Sequence, residues 1–308
     1  MSDRPTIGFI GVGLMGHGMA SNILKAGYPL VVMANRNRAP VDDLVSKGAT
    51  EAANPAEMAE TASIIHLCVS GSPQVEEVVF GANGLHDAVG ADHVVIDTST
   101  SAPPSTMRIA RALDQRGCRF ADAPLSRTPK EAAEGTLDTM VGCDDATFAA
   151  IEPVLKTWAG VIVRTGPVGT GHTMKLLNNF VAMGYGALYA EALALGAKAG
   201  LTPQTFHEVI GAGRMRNGFY DTFMRYVVER DPEAHAFAIE NAAKDMRYVA
   251  QLANEVGAVN PVGAAVRNTY TAATAQGRGK DYVPTISDFV AEQNGVSHGE
   301  VARPENAS

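Results

Sequence analysis

The apolar positions change rhythm along this chain. Up to residue 122 they gather in short runs, at 6–10, 30–34, 64–69, 94–97 and 119–122, each followed by helical spacing or turn residues. Runs of this kind read as strands buried on both faces, and their alternation with helices implies right-handed crossovers between parallel strands. One helix start is explicit. In Asn54-Pro55-Ala56-Glu57 an Asn takes the cap position, Pro the first helical position and Glu the same first turn. Runs at 139–141 and 161–164 are expected to complete the sheet. From Gly169 the strand rhythm stops. Residues 170–200 contain no proline and repeat Ala, Leu, Met and Asn at helical spacing. That predicts one helix of about eight turns, buried on more than one side. Further helices are predicted from Thr202-Pro203, from about Asn217, over 235–256 and over 261–275.

The pattern defines an α/β chain: a doubly wound parallel sheet over 1–167, an all-helical C-terminal domain over 168–296 built on the one long helix, and a polar tail over 297–308. The turn after the first strand narrows this. Gly11-Val12-Gly13-Leu14-Met15-Gly16 leads from the strand into a segment where Met15, Met19 and Ile23 share helical spacing. Gly11 permits a tight turn, Gly13 lets the backbone approach a pyrophosphate, and Gly16 lets the helix pack closely, so the free N–H groups of the helix point at phosphates. In that context the glycines, with Leu14 and Met15 of the same turn, mark a Rossmann-type dinucleotide site. An acidic residue at the end of the second strand normally holds an NAD ribose, and Asn35-Arg36-Asn37-Arg38 stands there instead. A guanidinium suits a 2′-phosphate and a neutral Asn removes a repelling carboxylate, so Asn35 and Arg36 favour NADP, with NAD possible. Taken without the fingerprint, Arg36 and Arg38 are ordinary solvated loop charges.

Composition removes several other classes. Apolar residues make up 46% and charged residues 19%, which leaves no room for extended disorder. A net charge of -8 lacks the basic footprint of a nucleic-acid binder. No apolar run is expected to span a membrane, and Met1-Ser2-Asp3-Arg4-Pro5 carries no secretory signal, so a cytoplasmic protein is expected. Cys68, Cys118 and Cys143 are widely spaced and read as buried thiols, and the histidines show no ligand spacing, so no metal site is expected. The long apolar helix leaves surface that a second subunit could cover, so a homo-oligomer, dimer or tetramer, is expected.

Lys175 and Asn179 lie four apart on the long helix, in Gly169-Thr170-Gly171-His172-Thr173-Met174-Lys175-Leu176-Leu177-Asn178-Asn179. Spacing of four puts both on one face. A Lys held beside a nicotinamide could exchange a proton with the oxygen at the reacting carbon, and Asn179 could fix that oxygen. At its ordinary pKa, about 10.4, a lysine is charged at neutral pH, which suits the acid role. A solvated Lys beside a surface Asn has the same spacing.

The glycine turn with Met19-Ala20, Asp122-Ala123-Pro124-Leu125-Ser126, the Gly169 to Asn179 segment and Lys244-Asp245 together resemble the β-hydroxyacid dehydrogenase family, whose members include 3-hydroxyisobutyrate dehydrogenase and tartronate semialdehyde reductase. The resemblance runs from about Thr6 to Phe289. It implies a small anionic 3-hydroxy acid or semialdehyde as substrate, Lys175 as catalytic acid or base and Asn179 as the residue that positions the reacting oxygen, with Asn178 beside it. Ser126 and nearby amides would hold the substrate carboxylate. Thr100 would contact the nicotinamide end, Ser70 would line the cofactor cleft and Lys244 would close over the cofactor. The family usually has two glycines after Ser126, and this chain has Arg127-Thr128-Pro129. That Arg and Thr resemble the sulfolactaldehyde reductase branch, where the Arg binds a sulfonate, although Ser126 and Asn35-Arg36 are not that branch's usual residues. Imine reductases on this scaffold generally carry Asp or Tyr in place of the Lys, and non-catalytic members tend to lose it, so Lys175 argues against both.

Overall fold

The computed structural model describes residues 4–299, so the expected tail over 297–308 lies mostly outside the described residues. Two compact units divide the chain, Met1–Leu176 and Leu177–Ser308. The division falls inside the long helix, whereas the sequence reading placed it ahead of that helix.

The first unit is built on nine strands: β1 (Ile7–Ile10), β2 (Leu30–Met33), β3 (Thr50–Glu51), β4 (Ile64–Leu67), β5 (Val94–Asp97), β6 (Arg119–Asp122), β7 (Leu125–Ser126), β8 (Leu137–Gly142) and β9 (Ala159–Gly166). They run in the order β3-β2-β1-β4-β5-β6-β8-β7, with β9 paired to β8. From β3 to β6 every pairing is parallel, with Ile10 level with Met33 and Leu67, and Asp97 level with Leu67 and Asp122. Side chains alternate across this sheet as strand geometry requires. Phe9, Ile64 and Ile96 face one core with Met19, Ile23 and Trp158, and Ile10, Ile65 and Val95 face the other with Ile109 and Phe120.

The parallel order implied by the alternation breaks at β8, which pairs antiparallel with both β6 and β7. A parallel return needs a crossover long enough to carry the chain back along the sheet. The connection from β6 to β8 holds only a two-residue strand and the six-residue helix Pro129–Glu134, so the chain turns back instead. That short helix lies against the glycine-turn helix Gly16–Lys25. Asn22 Nδ2 donates to the carbonyls of Gly18, Ala132 and Ala133, and a Cβ at Gly18 would sit 2.6 Å from the Ala132 carbonyl carbon.

The second unit is helical. Besides the remainder of the long helix Thr170–Lys198 it holds Pro203–Gly211, Gly218–Glu229, Ile239–Glu255, Pro261–Ala273 and Ile286–Gln293. Asn217 caps its helix by accepting from the Tyr220 amide at 2.9 Å. The helix expected from residue 235 starts only at Ile239, because Ala238 is extended and bridges antiparallel to Tyr282. By length and composition the long helix could cross a membrane, contrary to the sequence reading: its apolar window has a mean hydropathy of 1.3. Met183, Ala187, Ala190, Leu193 and Ala194 are nevertheless buried in protein, as befits the core helix of a helical unit.

Candidate active site

The expected cofactor residues of the first unit follow the carboxyl ends of adjacent strands: Gly11 after β1, Asn35 and Arg36 after β2, Ser70 after β4 and Thr100 after β5. Here the connection changes side between β1 and β4, which is where open α/β sheets bind ligands. Gly11 has φ +100°, and a Cβ there would collide with the Cys68 carbonyl. A Cβ at Gly16 would collide with the Gly11 carbonyl, so the helix start presses directly on the turn. Above Gly13 no atom of the described residues, its chain neighbours aside, lies within 4 Å of a Cβ position, and Leu14 is largely exposed. The helix Gly16–Lys25 has no side-chain cap and no acidic residue in its first turn, and Met15 stands at its cap position. An open turn, a clear approach at Gly13 and uncapped N–H groups fit a dinucleotide pyrophosphate.

Past β2, Asn35 and Arg36 are exposed. Arg38 is committed elsewhere. Its Nη1 and Nη2 donate to Glu51 at 3.0 and 2.9 Å, and Nη2 also to Asp42 at 3.1 Å. Arg36, the arginine read as the specificity candidate, stands past the end of β2, while Arg38 ties the loop to β3. Ser70 is exposed and Thr100 is half-buried.

Ser126 ends β7, and Arg127 and Thr128 make the turn from it into the helix Pro129–Glu134. Ser126 Oγ is enclosed and finds no hydrogen-bond partner among the described residues. Arg127 adopts φ +85°, a left-handed conformation uncommon for any residue but glycine, and its Nε lies 2.9 Å from Asp138 Oδ2. Asp138 is the register partner of Ser126 across the β7–β8 pair, so the strand pairing brings it beside the turn. Thr128 caps the short helix: its hydroxyl accepts from the Lys130 amide at 3.3 Å, and its own N–H donates to Glu131 Oε2 at 3.0 Å.

Asp122, in the same motif as Ser126, reaches across to the start of the long helix. Its Oδ1 accepts from the Gly169 amide and its Oδ2 from the His172 amide, each at 2.7 Å. Burial pushes the Asp122 carboxyl above its ordinary range, opposed by His172 and those two amides. The carboxylate fixes the first turn of the helix, and Lys175, half-buried, follows one turn later.

In the second unit, Asn179 follows Lys175 by one helical turn and is buried, while Asn178 beside it is exposed. Asn178 Nδ2 donates to Asn179 Oδ1 at 3.3 Å, and Asn179 Nδ2 donates to Asp245 Oδ2 at 2.7 Å. Lys244 is mostly buried, with Nζ 3.4 Å from Asp245 Oδ1 and 5.6 Å from the centroid of the Tyr248 ring. Lys244-Asp245 is thus no solvated pair. The role of Asp245 in holding Asn179 escaped the sequence reading. The available signal was an Asp among Ala242, Met246 and Val249 on the apolar face of a helix, where a carboxylate needs a partner.

A nucleotide-binding sheet followed by a helical unit, joined through a helix that carries a Lys and an Asn one turn apart, is the build of a nicotinamide-dependent oxidoreductase. Residues 6–166 match the NAD binding domain of 6-phosphogluconate dehydrogenase, and residues 169–287 match the NAD-binding domain of NADP-dependent 3-hydroxyisobutyrate dehydrogenase. The chain is 34% identical over 291 residues to 3-sulfolactaldehyde reductase of Escherichia coli, covering 94% of this chain and 97% of that one. It is 32% identical over 291 residues to 2-(hydroxymethyl)glutarate dehydrogenase of Eubacterium barkeri, covering 94% and 96%. The crystal structure of 3-hydroxyisobutyrate dehydrogenase from Salmonella typhimurium superposes with a TM-score of 0.80 at 27% identity, covering 93% of this chain and all of that one. The chain belongs to the β-hydroxyacid dehydrogenase family and is an NAD(P)-dependent enzyme of that class.

Proposed function

We propose that this protein is an NADP-preferring reductase or dehydrogenase acting on a small 3-hydroxy acid or its semialdehyde, in the manner of 3-hydroxyisobutyrate dehydrogenase, with Lys175 as its general acid and base. The observation that carries the reading is the pair Lys175 and Asn179, one turn apart on one helix, with the Asn179 amide oriented by a buried carboxylate. When bound, the nicotinamide supplies the hydride or accepts it. In the reducing direction the Lys175 ammonium donates a proton to the aldehyde oxygen, and in the oxidising direction its amine takes that proton back. Asn179 holds the same oxygen through the Nδ2 proton not given to Asp245. Ser126 and the neighbouring amides bind the acid head group. Arg36, exposed beside neutral Asn35, pairs with a 2′-phosphate.

A second reading has an observation of its own. Arg127 puts a guanidinium in the turn that would take the acid head group, anchored through Nε by Asp138. Its two remaining nitrogens suit a sulfonate or a second acidic group, and 3-sulfolactaldehyde reductase is among the relatives. The deciding experiment measures cofactor oxidation with methylmalonate, tartronate and succinic semialdehydes and sulfolactaldehyde, each with NADPH and NADH, for the natural protein and Arg127→Gly. Selective loss on sulfolactaldehyde would favour the second reading. No turnover on any of the four would remove both.

The reading includes assembly with a second copy. Leu177, Val181, Tyr185, Leu188 and Leu195 form an exposed apolar stripe along the long helix, and monomers rarely leave such a patch wet. Light scattering at micromolar concentration tests it, and a monomer would count against it.

A further inference from the structure

His172 sits in the first turn of the long helix, three residues ahead of Lys175, and no part of it reaches solvent. Its Nε2 lies 3.1 Å from the Ser99 carbonyl oxygen, which has no proton to give, so Nε2 is the donor. Its Nδ1 lies 2.7 Å from Thr106 Oγ1. With the proton on Nε2 the neutral ring accepts from the Thr106 hydroxyl. A doubly protonated ring would instead donate to that hydroxyl, which can in turn donate a hydrogen bond to the Ala102 carbonyl at 3.3 Å.

On the Nε2 side of the ring the groups belong to the end of β5 and the turn that carries Thr100. Asp97 Oδ1 accepts from the Ser99 amide and Asp97 Oδ2 from the Ser101 hydroxyl, both at 2.9 Å. Ser99 Oγ accepts from the Val69 amide at 3.0 Å. Two fully buried carboxylates flank the imidazole, Asp97 Oδ2 at 3.6 Å from Nε2 and Asp122 Oδ2 at 3.9 Å from Nδ1. Asp122 already holds the backbone of the same helical turn. A buried polar cluster with each member engaged is rigid, because any displacement strands a polar group without water to replace its partner.

We propose that His172 is a positioning residue whose ring locks the first turn of the long helix to the Ser99–Ser101 turn, holding Lys175 and Thr100 in one fixed frame. The proposal rests on Lys175 being the acid or base of the reaction. A displacement of about 1 Å at a reacting group costs on the order of 100-fold in rate, so loss of the lock is read in the chemical step rather than in binding.

The test compares the natural protein with His172→Ala, His172→Gln and Thr106→Val. His172→Ala should lower kcat by about 10- to 100-fold, leave the Kd for NADPH unchanged and raise the isotope effect from 4-deuterated NADPH. His172→Gln, whose amide can donate to Ser99 and accept from Thr106, should restore most of kcat. Thr106→Val keeps the volume, removes the Nδ1 partner and should shift kcat and the isotope effect the same way, which covers a His172→Ala variant that fails to fold. Natural kcat and isotope effect in His172→Ala would overturn the proposal, as would a loss that Gln does not restore. Amide hydrogen exchange reads the lock without turnover: residues 98–101 and 172–176 should exchange faster together in His172→Ala, and unchanged exchange there would also overturn it. An inactive natural protein would defeat the reading of Lys175, and exchange would still decide the lock.

Discussion

Asn179 gives one amide proton to the buried carboxylate of Asp245 at 2.7 Å, and that bond fixes which way the amide faces. Reversing it would set the carbonyl oxygen against a carboxylate. Asp245→Ala frees the amide to rotate. The expected result is a fall in kcat of about 10- to 100-fold, with the Km of the semialdehyde moving less. An unaltered kcat would show that Asn179 needs no such guide.

Lys175→Ala should lower kcat by about 100- to 10,000-fold, the usual worth of a placed general acid. NADPH binding, followed by fluorescence, should persist. Lys175→Met, which keeps more of the packing, should lose as much. Normal turnover in either variant would remove Lys175 from the chemistry.

Arg36→Ala should raise the Km for NADPH by about 10- to 100-fold and leave that for NADH alone, because one charge-assisted contact to a phosphate is lost. Asn35→Asp should move the preference the same way. Arg38→Ala is the control: with Glu51 and Asp42 holding that guanidinium, cofactor choice should not change. Equal effects from both arginines would mean the loop as a whole sets the preference.

His66 predicts an acid-side loss of stability. The ring is fully buried in β4, stacked on Phe9 at 5.4 Å between centroids and edge-on to Trp158 at 6.2 Å, and neither nitrogen has a hydrogen-bond partner among the described residues. Burial lowers its pKa from 6.5 to about 3. Between those values the unfolded chain binds a proton that the folded chain does not. The contribution of His66 is therefore complete above pH 6.5 and is lost as pH falls toward 3, by about 1.4 kcal/mol per pH unit. His66→Phe should flatten that slope in urea unfolding measured from about pH 7 to about pH 5. An unchanged slope would place the titration elsewhere.

Local chemistry made much of this molecule legible. The glycine turn needed only its own geometry, and Asn54 caps its helix through the Glu57 amide at 3.0 Å, as its place before Pro55 implied. β1, β2, β4, β5 and β6 followed from the apolar runs that strands covered on both faces leave, and the runs at 139–141 and 161–164 fall in β8 and β9. The antiparallel direction of β8 was not legible, since it depends on how little chain links it to β6. Nor was the late start at Ile239, which is set by pairing with Tyr282 far along the chain. At the candidate site the division is the same. Lys175 and Asn179 were candidates from their spacing and motif, whereas the contacts of Asp245 with Asn179, of Asp138 with Arg127 and of the His172 ring join residues that only folding brings near.

Arg127 holds a backbone shape that glycine adopts freely. The turn after Ser126 therefore does not owe its path to the side chain it carries, and Arg127→Gly would relax the chain rather than distort it. Side-chain charge and backbone path are separable at this position. A charged side chain can be added or deleted there by one substitution while the strand pair, the capped helix and the glycine-turn helix stay where they are, so if this turn takes the acid head group as proposed, one residue could exchange one anion for another without rebuilding the scaffold.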